Sequence, residues 1–326
     1  MVRSRRKATP GALQGVLLYH QGLLADTRRN RAFHRALVAR VRPGHSVLDI
    51  GAGSGVWGVL AARLGARRVV AVEREPVLQP IIERLARENG VADRVEVVCA
   101  SARRLELPRE FDVVVSETVG SEGFEEGIVE IMQRARERFL RRGGSLVPET
   151  MALRGAPVAP FDAARLSPPI LADTSFTTLS RHVPRAIPAG PLHTLAPSRE
   201  LLRVDLRTAT TEEPLPLGTA RFRVADGRAV GGIAVWVDIG LAPGIRLQTR
   251  PCPSWVSMFL PIERLPRGPG RLSLELDWNP TRRRWHVEFV GDGGARLTSE
   301  HSPLFAWGVV KPSLRKGRAR PRGSRR

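Results

Sequence analysis

Between residues 44 and 150 short apolar runs alternate with amphipathic stretches. The pattern predicts strands at His45 to Asp49, Arg68 to Glu73, Val95 to Cys99, Phe111 to Glu117 and Ser145 to Pro148. It predicts helices between them at Gly55 to Leu64, Glu75 to Glu88 and Gly127 to Leu140. Strands written as continuous apolar runs, rather than as alternating ones, are covered on both faces, so this stretch is read as α/β with a parallel sheet. Ahead of it, Leu17, Leu23, Leu24, Phe33, Leu37 and Val41 fall at helical spacing and predict two helices placed to cap whatever the sheet binds.

The pattern changes after Pro148. Residues 156–198 are rich in Pro, Ala and Ser, and from Leu201 to Val290 come strand-like segments such as TARFRVAD, GGIAVWVDI, RLSLELDW and RRWHVEFV. Short strands separated by Gly or Pro turns predict an antiparallel barrel or sandwich. The expected organisation is a basic arm over 1–12, an α/β domain with its capping helices over 13–150, a β domain over 151–310 and a basic tail over 311–326.

One loop in the first half carries chemistry. In VLDIGAGSGVWGVLAARLGARRVVAVERE, residues 47–75, Gly51, Gly53 and Gly55 follow a strand and open a helix. They let backbone N–H groups approach an anionic ligand where the helix dipole favours negative charge. Val56 stands where a dinucleotide fingerprint needs its third small residue, which disfavours a nicotinamide cofactor. Glu73 ends the next strand 22 residues after Gly51, where a carboxylate accepts hydrogen bonds from ribose hydroxyls. Asp49 either contacts the ligand or holds the glycine loop. The combination points to S-adenosylmethionine and a methyltransferase.

The net charge is +20, and arginine supplies nearly all of the positive charge, since only Lys7, Lys311 and Lys316 are lysines. Eight cations lie between Lys311 and Arg326 and four between Arg3 and Lys7, in ends without apolar periodicity. These ends are either solvated tails or tethers for nucleic acid or an acidic protein. Two cysteines, Cys99 and Cys252, exclude a disulfide framework and a thiolate zinc cluster. No apolar run is long enough for a membrane span, and Gln14, His20 and Gln21 interrupt what would be a signal-peptide core, so a cytoplasmic location is expected.

Three further stretches resemble the protein arginine methyltransferase family, together with the loop above. SETVGSEGFEE at 116–126 looks like the family's double-glutamate hairpin, with Glu117 and Glu126 nine residues apart. YHQGLLADTRRNRAF is similar to the family pattern around its cofactor arginine, with His20 and Asp26 on patterned positions and Arg29 on the arginine that binds the cofactor's carboxylate. PCPSWVSMFLPIERL resembles the loop whose tryptophan lies beside the target arginine. That likeness gives Trp255 and Ser254 substrate-side roles, with Ser254 where most members have histidine and the symmetric-dimethylating branch has Ser-Trp. Ala102 falls among the cofactor positions, next to Arg103, where many members have a glutamate that contacts adenine.

The resemblance implies catalysis by Glu117 and Glu126, a protein or peptide acceptor, and homodimers built through an arm that residues 160–200 would supply. Two carboxylates suit the reaction, because a sulfonium and a guanidinium repel unless negative charge stands between them. Two other readings stay open: a methyltransferase with a different acceptor (a small molecule, another side chain or RNA), and an inactive binding protein tethered to nucleic acid.

Overall fold

The computed structural model describes residues 10–160, 185–187, 192–213, 215–255, 257–262, 264–279 and 282–301. Both basic ends fall outside these residues, as does most of the stretch expected to hold a dimerisation arm.

A five-stranded parallel sheet forms the first half, in the order β3-β2-β1-β4-β5. Its strands are β1 (Ser46–Ile50), β2 (Arg68–Glu73), β3 (Val95–Cys99), β4 (Phe111–Ser116) and β5 (Leu140–Val147). All of β1 and nearly all of β2 and β4 are buried, as their unbroken apolar runs require. The chain runs outward from β1 to β3 and then returns to β4 on the other side of β1. Such a reversal opens a crevice beyond the strand ends. Ile50 pairs with Ser116 there, and Ser116 Oγ donates to Ile50 O at 2.9 Å, so the glycine loop after β1 and the glutamate after β4 emerge side by side.

Helices α1 (Pro10–Ala25) and α2 (Thr27–Arg40) cover this crevice. Ala32, Phe33, Ala36 and Leu37 recur at helical spacing and bury one face of α2, and Phe33 stacks on Trp57 with ring centroids 4.9 Å apart. Trp57 lies in α3 (Val56–Arg63), which follows the glycine loop, so α2 and α3 are locked together above β1.

Two helices differ from the sequence pattern. The stretch from Glu75 splits into a 3-10 turn, Pro76–Leu78, and α4 (Gln79–Glu88). Pro76 and Pro80 lack the N–H a helix interior needs and are tolerated only in a first turn. The stretch from Gly127 is regular only as α5 (Ile128–Arg134), then widens into a π-turn over Ala135–Phe139. Leu140 already begins β5, whose exposed Arg141, Arg142 and Gly143 hide its strand character.

The remainder is antiparallel. A six-stranded sheet runs β7-β12-β10-β6-β8, with β11 pairing β10. Its members are β6 (Thr150–Val158), β7 (Arg185–Ile187), β8 (Arg199–Asp205), β10 (Gly232–Ala242), β11 (Ile245–Gln248) and β12 (Ser257–Pro261). A four-stranded sheet runs β15-β14-β13-β9, from β9 (Thr219–Val224), β13 (Gly270–Asn279), β14 (Arg282–Gly291) and β15 (Arg296–His301). Their inner faces meet where Gly155 lies against Leu274, and one continuous core joins them to the parallel sheet.

Candidate active site

The crevice is built from four chain segments. The glycine loop provides the floor: Gly51, Gly53 and Gly55 have φ of 73°, 56° and 84°, a left-handed backbone that only glycine adopts without strain. A side-chain carbon on Gly53 would stand 2.7 Å from the His20 ring, and one on Gly55, the N-cap of α3, 2.6 Å from Ile82. Gly53 thus admits α1 over the loop, while Gly55 starts the helix.

Glu73 is 8% exposed, and its two oxygens accept from Gly53 N at 2.8 Å and Glu75 N at 2.9 Å. The carboxylate is thereby fixed at the strand end. Asp49 is fully buried; one oxygen accepts from Gly58 N at 2.8 Å and the other has no partner. Burial, against that hydrogen bond and with Glu73 and Glu117 adding repulsion, pushes its carboxyl up to about 7. Ala102 opens a short 3-10 turn after β3 and is partly buried.

Asp49 gives the protein a testable pH dependence. Its proton stays on to a higher pH in the folded chain than in the unfolded one, so across the interval from the ordinary aspartate range to about 7 the folded state binds more protons. Stability from this group therefore falls as pH rises through that interval. Asp49→Asn, which keeps the oxygen that accepts from Gly58, should flatten the decline in melting temperature between pH 4.5 and 7.5 by a few degrees (about 1–3 kcal/mol). An identical slope in the variant would remove Asp49 as the cause.

Arg29 occupies the wall. It is 3% exposed, within 6 Å of the Phe33, Trp57 and Trp255 rings, and ion-paired through Nη2 to Glu117. Nη1 donates to Asn30 Oδ1 at 3.0 Å, and Nε is buried without a partner. Asp26 holds this helix end: Oδ1 accepts from Arg29 N at 3.0 Å, while Oδ2 accepts from Ser254 Oγ at 2.5 Å and Ser254 N at 3.2 Å. The serine at the histidine position thus makes a direct bond to the acidic residue across 228 positions of sequence. Trp255 is 5% exposed, and its Nε1 donates to Val119 O at 2.7 Å, which ties the loop between β11 and β12 to the segment that carries Glu117.

Glu117 and Glu126 flank a tight hairpin. Gly120 and Gly123 bridge, Gly123 N donates to Gly120 O at 3.0 Å, and Phe124 buries its ring edge-on to Trp278 of β13. Glu122 and Glu125 compete with Glu126 for a role in the sequence, and the structure separates them. Glu122 is buried and its N–H donates to Glu125 Oε1 at 2.9 Å, within the hairpin's own framework. Glu126 is exposed at the mouth. Burial, nearly complete at Glu117 and partial at Glu126, raises both carboxyls; Arg29 counteracts it at Glu117, whereas Glu117 and Glu125 reinforce it at Glu126, which reaches about 7. His20 is shifted the other way: burial lowers its pKa, Glu73 opposes that, and Arg29 adds to the lowering.

The structure therefore gathers His20, Asp26, Arg29, Asp49, Gly51, Gly53, Glu73, Glu117, Glu126, Ser254 and Trp255 around one crevice. Sequence spacing did not reveal that Arg29 and Glu117 would form an ion pair; only their common position at the crevice signals it. Among the described residues no group of three or more His, Cys, Asp or Glu side chains is arranged to hold a metal ion, and no helix is long and apolar enough to cross a membrane.

A methyltransferase domain model matches residues 47–144, from the glycine loop's strand into β5. An arginine N(omega)-methyltransferase of Streptomyces achromogenes subsp. streptozoticus is 32% identical over 284 residues, covering 82% of this chain and 78% of that protein. Protein arginine N-methyltransferase 6 of Danio rerio is 32% identical over 141 residues, covering 43% of this chain and 40% of that one. The fold matches the Trypanosoma brucei PRMT1 enzyme-prozyme complex with a TM-score of 0.72 at 17% identity, over 87% of this chain and 97% of that one. The Streptomyces enzyme is matched over most of both chains, and on that extent the chain belongs to the arginine methyltransferase family.

Proposed function

We propose that the protein transfers a methyl group from S-adenosylmethionine to the guanidinium of arginine in a protein or peptide, and that it does so as a homodimer. The observation that carries this is the placement of Glu117 and Glu126 on either limb of one hairpin, with Glu117 paired to the buried Arg29, beside a crevice with a fixed carboxylate, Glu73. The residues present fit the cofactor: Gly51 and Gly53 give the left-handed loop that would receive it, Glu73 would hold its ribose hydroxyls, and Arg29, with one buried nitrogen unsatisfied, would hold its carboxylate. When bound, the cofactor supplies an electrophilic methyl on a sulfonium.

The chain's own groups then act on the acceptor. Glu117 and Glu126 neutralise the guanidinium and hold its plane through paired charge-assisted bonds. That polarisation gathers positive charge on the held nitrogens and leaves the remaining one more nucleophilic. After transfer that nitrogen loses a proton, and Glu126, close to 7, is matched to take it near neutral pH. Trp255, bonded to Val119, and Ser254, bonded to Asp26, keep the hairpin and Arg29 in register, so positioning supplies much of the rate.

The test is incubation with isotopically labelled cofactor and three acceptor pools, namely bacterial lysate, arginine-containing peptides and free arginine, read by mass spectrometry. Labelled methylarginine within peptides is the expected product. Label confined to free arginine would leave the family chemistry and replace the protein acceptor, and label on other side chains or RNA would overturn the arginine reading. Light scattering on the purified chain checks the dimer.

A further inference from the structure

Tyr19 is the only tyrosine of the chain and is 58% exposed, although it lies at the site rather than on a remote surface. It sits on α1 directly before His20, whose ring stands over Gly53, and the two rings meet edge to face with centroids 5.3 Å apart. The end of α1 is tied to the Arg29 region by three bonds. Asp26 N donates to Leu23 O at 3.3 Å, Arg29 Nη1 to Leu23 O at 3.4 Å, and Asn30 Nδ2 to Leu24 O at 2.8 Å. These bonds fix the end of the helix that carries Tyr19, whose ring packs on His20 and stays open on its outer side.

Its surroundings are those a guanidinium requires. Burial on the inner side, followed by Glu126 and then Glu117, pushes the phenol up to about 12, so both carboxylates are within electrostatic reach of the ring and the hydroxyl stays neutral in the working range. An electron-rich ring beside two carboxylates attracts a planar cation: the ring face takes the guanidinium plane and the carboxylates take its N–H edges. We propose that Tyr19 is a specificity-determining residue for the acceptor, its ring forming the wall along which the guanidinium enters to reach Glu126 and Glu117.

The inference rests on the arginine reading above, and its test separates the two. Binding of an arginine peptide to the protein saturated with S-adenosylhomocysteine is measured by calorimetry, alongside KM and kcat for the same peptide and the affinity for S-adenosylhomocysteine alone. Tyr19→Ala should weaken peptide binding and raise its KM about tenfold, since a partly desolvated cation–π contact is worth on the order of 1–2 kcal/mol. The kcat and the S-adenosylhomocysteine affinity should change less than about threefold. Tyr19→Phe should restore most of the loss, whereas Tyr19→Leu, of similar bulk without the ring, should not. Equal peptide affinity in wild type and Tyr19→Ala overturns the proposal while arginine methylation stands. A loss of S-adenosylhomocysteine affinity as large as the loss of peptide affinity also overturns it, by reducing Tyr19 to a support for His20. A wild-type chain that methylates and binds no arginine acceptor brings down both readings together.

Discussion

Replacing either hairpin glutamate by glutamine is expected to cut single-turnover methylation of an arginine peptide by roughly 30- to 1000-fold, yet the two variants should differ in how they bind the cofactor. Glutamine keeps the size and removes one negative charge from a site that must hold two cations, and deleting such a contact costs on the order of 2–4 kcal/mol. Glu117 also neutralises Arg29, which is buried. Without it Arg29 is left as an uncompensated buried cation, a state that a cofactor carboxylate relieves. Glu117→Gln should therefore bind S-adenosylhomocysteine several-fold more tightly, and Glu126→Gln should leave that affinity within about threefold. Because one guanidinium is held by both, the double variant should lose far less than the product of the single losses. In wild type, kcat/KM should fall about tenfold per pH unit below the ionisation of Glu126 near 7, and this limb should vanish or move in Glu126→Gln. Stopped-flow turnover, calorimetry and a pH profile check these outcomes. Wild-type turnover in either variant would remove the carboxylate pair from the mechanism.

Gly53→Val should abolish measurable binding of S-adenosylhomocysteine. The position has φ of 56°, which a β-branched residue adopts only under strain, and its first side-chain carbon would stand 2.7 Å from the His20 ring. The same N–H donates to Glu73, so a shifted backbone also releases the carboxylate that faces the ribose. With ligand at 100 times its dissociation constant, wild type should gain about 2.7 kcal/mol, seen as a rise of a few degrees in melting temperature. The variant should gain none. Circular dichroism at a temperature well below its melting point establishes that it is folded. An unchanged calorimetric affinity in folded Gly53→Val would show that the glycine loop is not the cofactor site.

Much of the fold is legible in the chain because burial on both faces writes itself as unbroken apolar runs. That holds for β1, β2 and β4, and for the glycine, Asp49 and Glu73 positions that follow from where those strands end. It fails for β6. Thr150–Val158, TMALRGAPV, contains Ala, Gly and Pro where a strand is expected to carry β-branched residues, yet it is buried and central in its sheet. Small residues are needed there because Gly155 approaches Leu274, Leu201 and Ile233 closely on the inner face. Close packing between two sheets outweighs strand propensity at such a position. Strands β11 and β15 escape notice for the opposite reason: they are short or half-exposed and carry little apolar signal.

By itself the sequence determined the parallel α/β sheet, the antiparallel second half, the glycine loop and the set of acidic and aromatic residues that resemble an arginine methyltransferase. Local spacing suffices for these, since period, turn residues and strand ends are properties of neighbouring positions. Only the tertiary structure decided which polar groups meet. Arg29 and Glu117 are 88 positions apart, Trp255 and Val119 136 apart, and Ser254 and Asp26 228 apart. It also sorted the hairpin's glutamates, holding Glu122 and Glu125 inside the turn and leaving Glu126 at the mouth. Solvent access and long-range pairing depend on how the sheets and helices close over one another, and that closure sets the desolvation that raises the carboxyls of Asp49, Glu117 and Glu126.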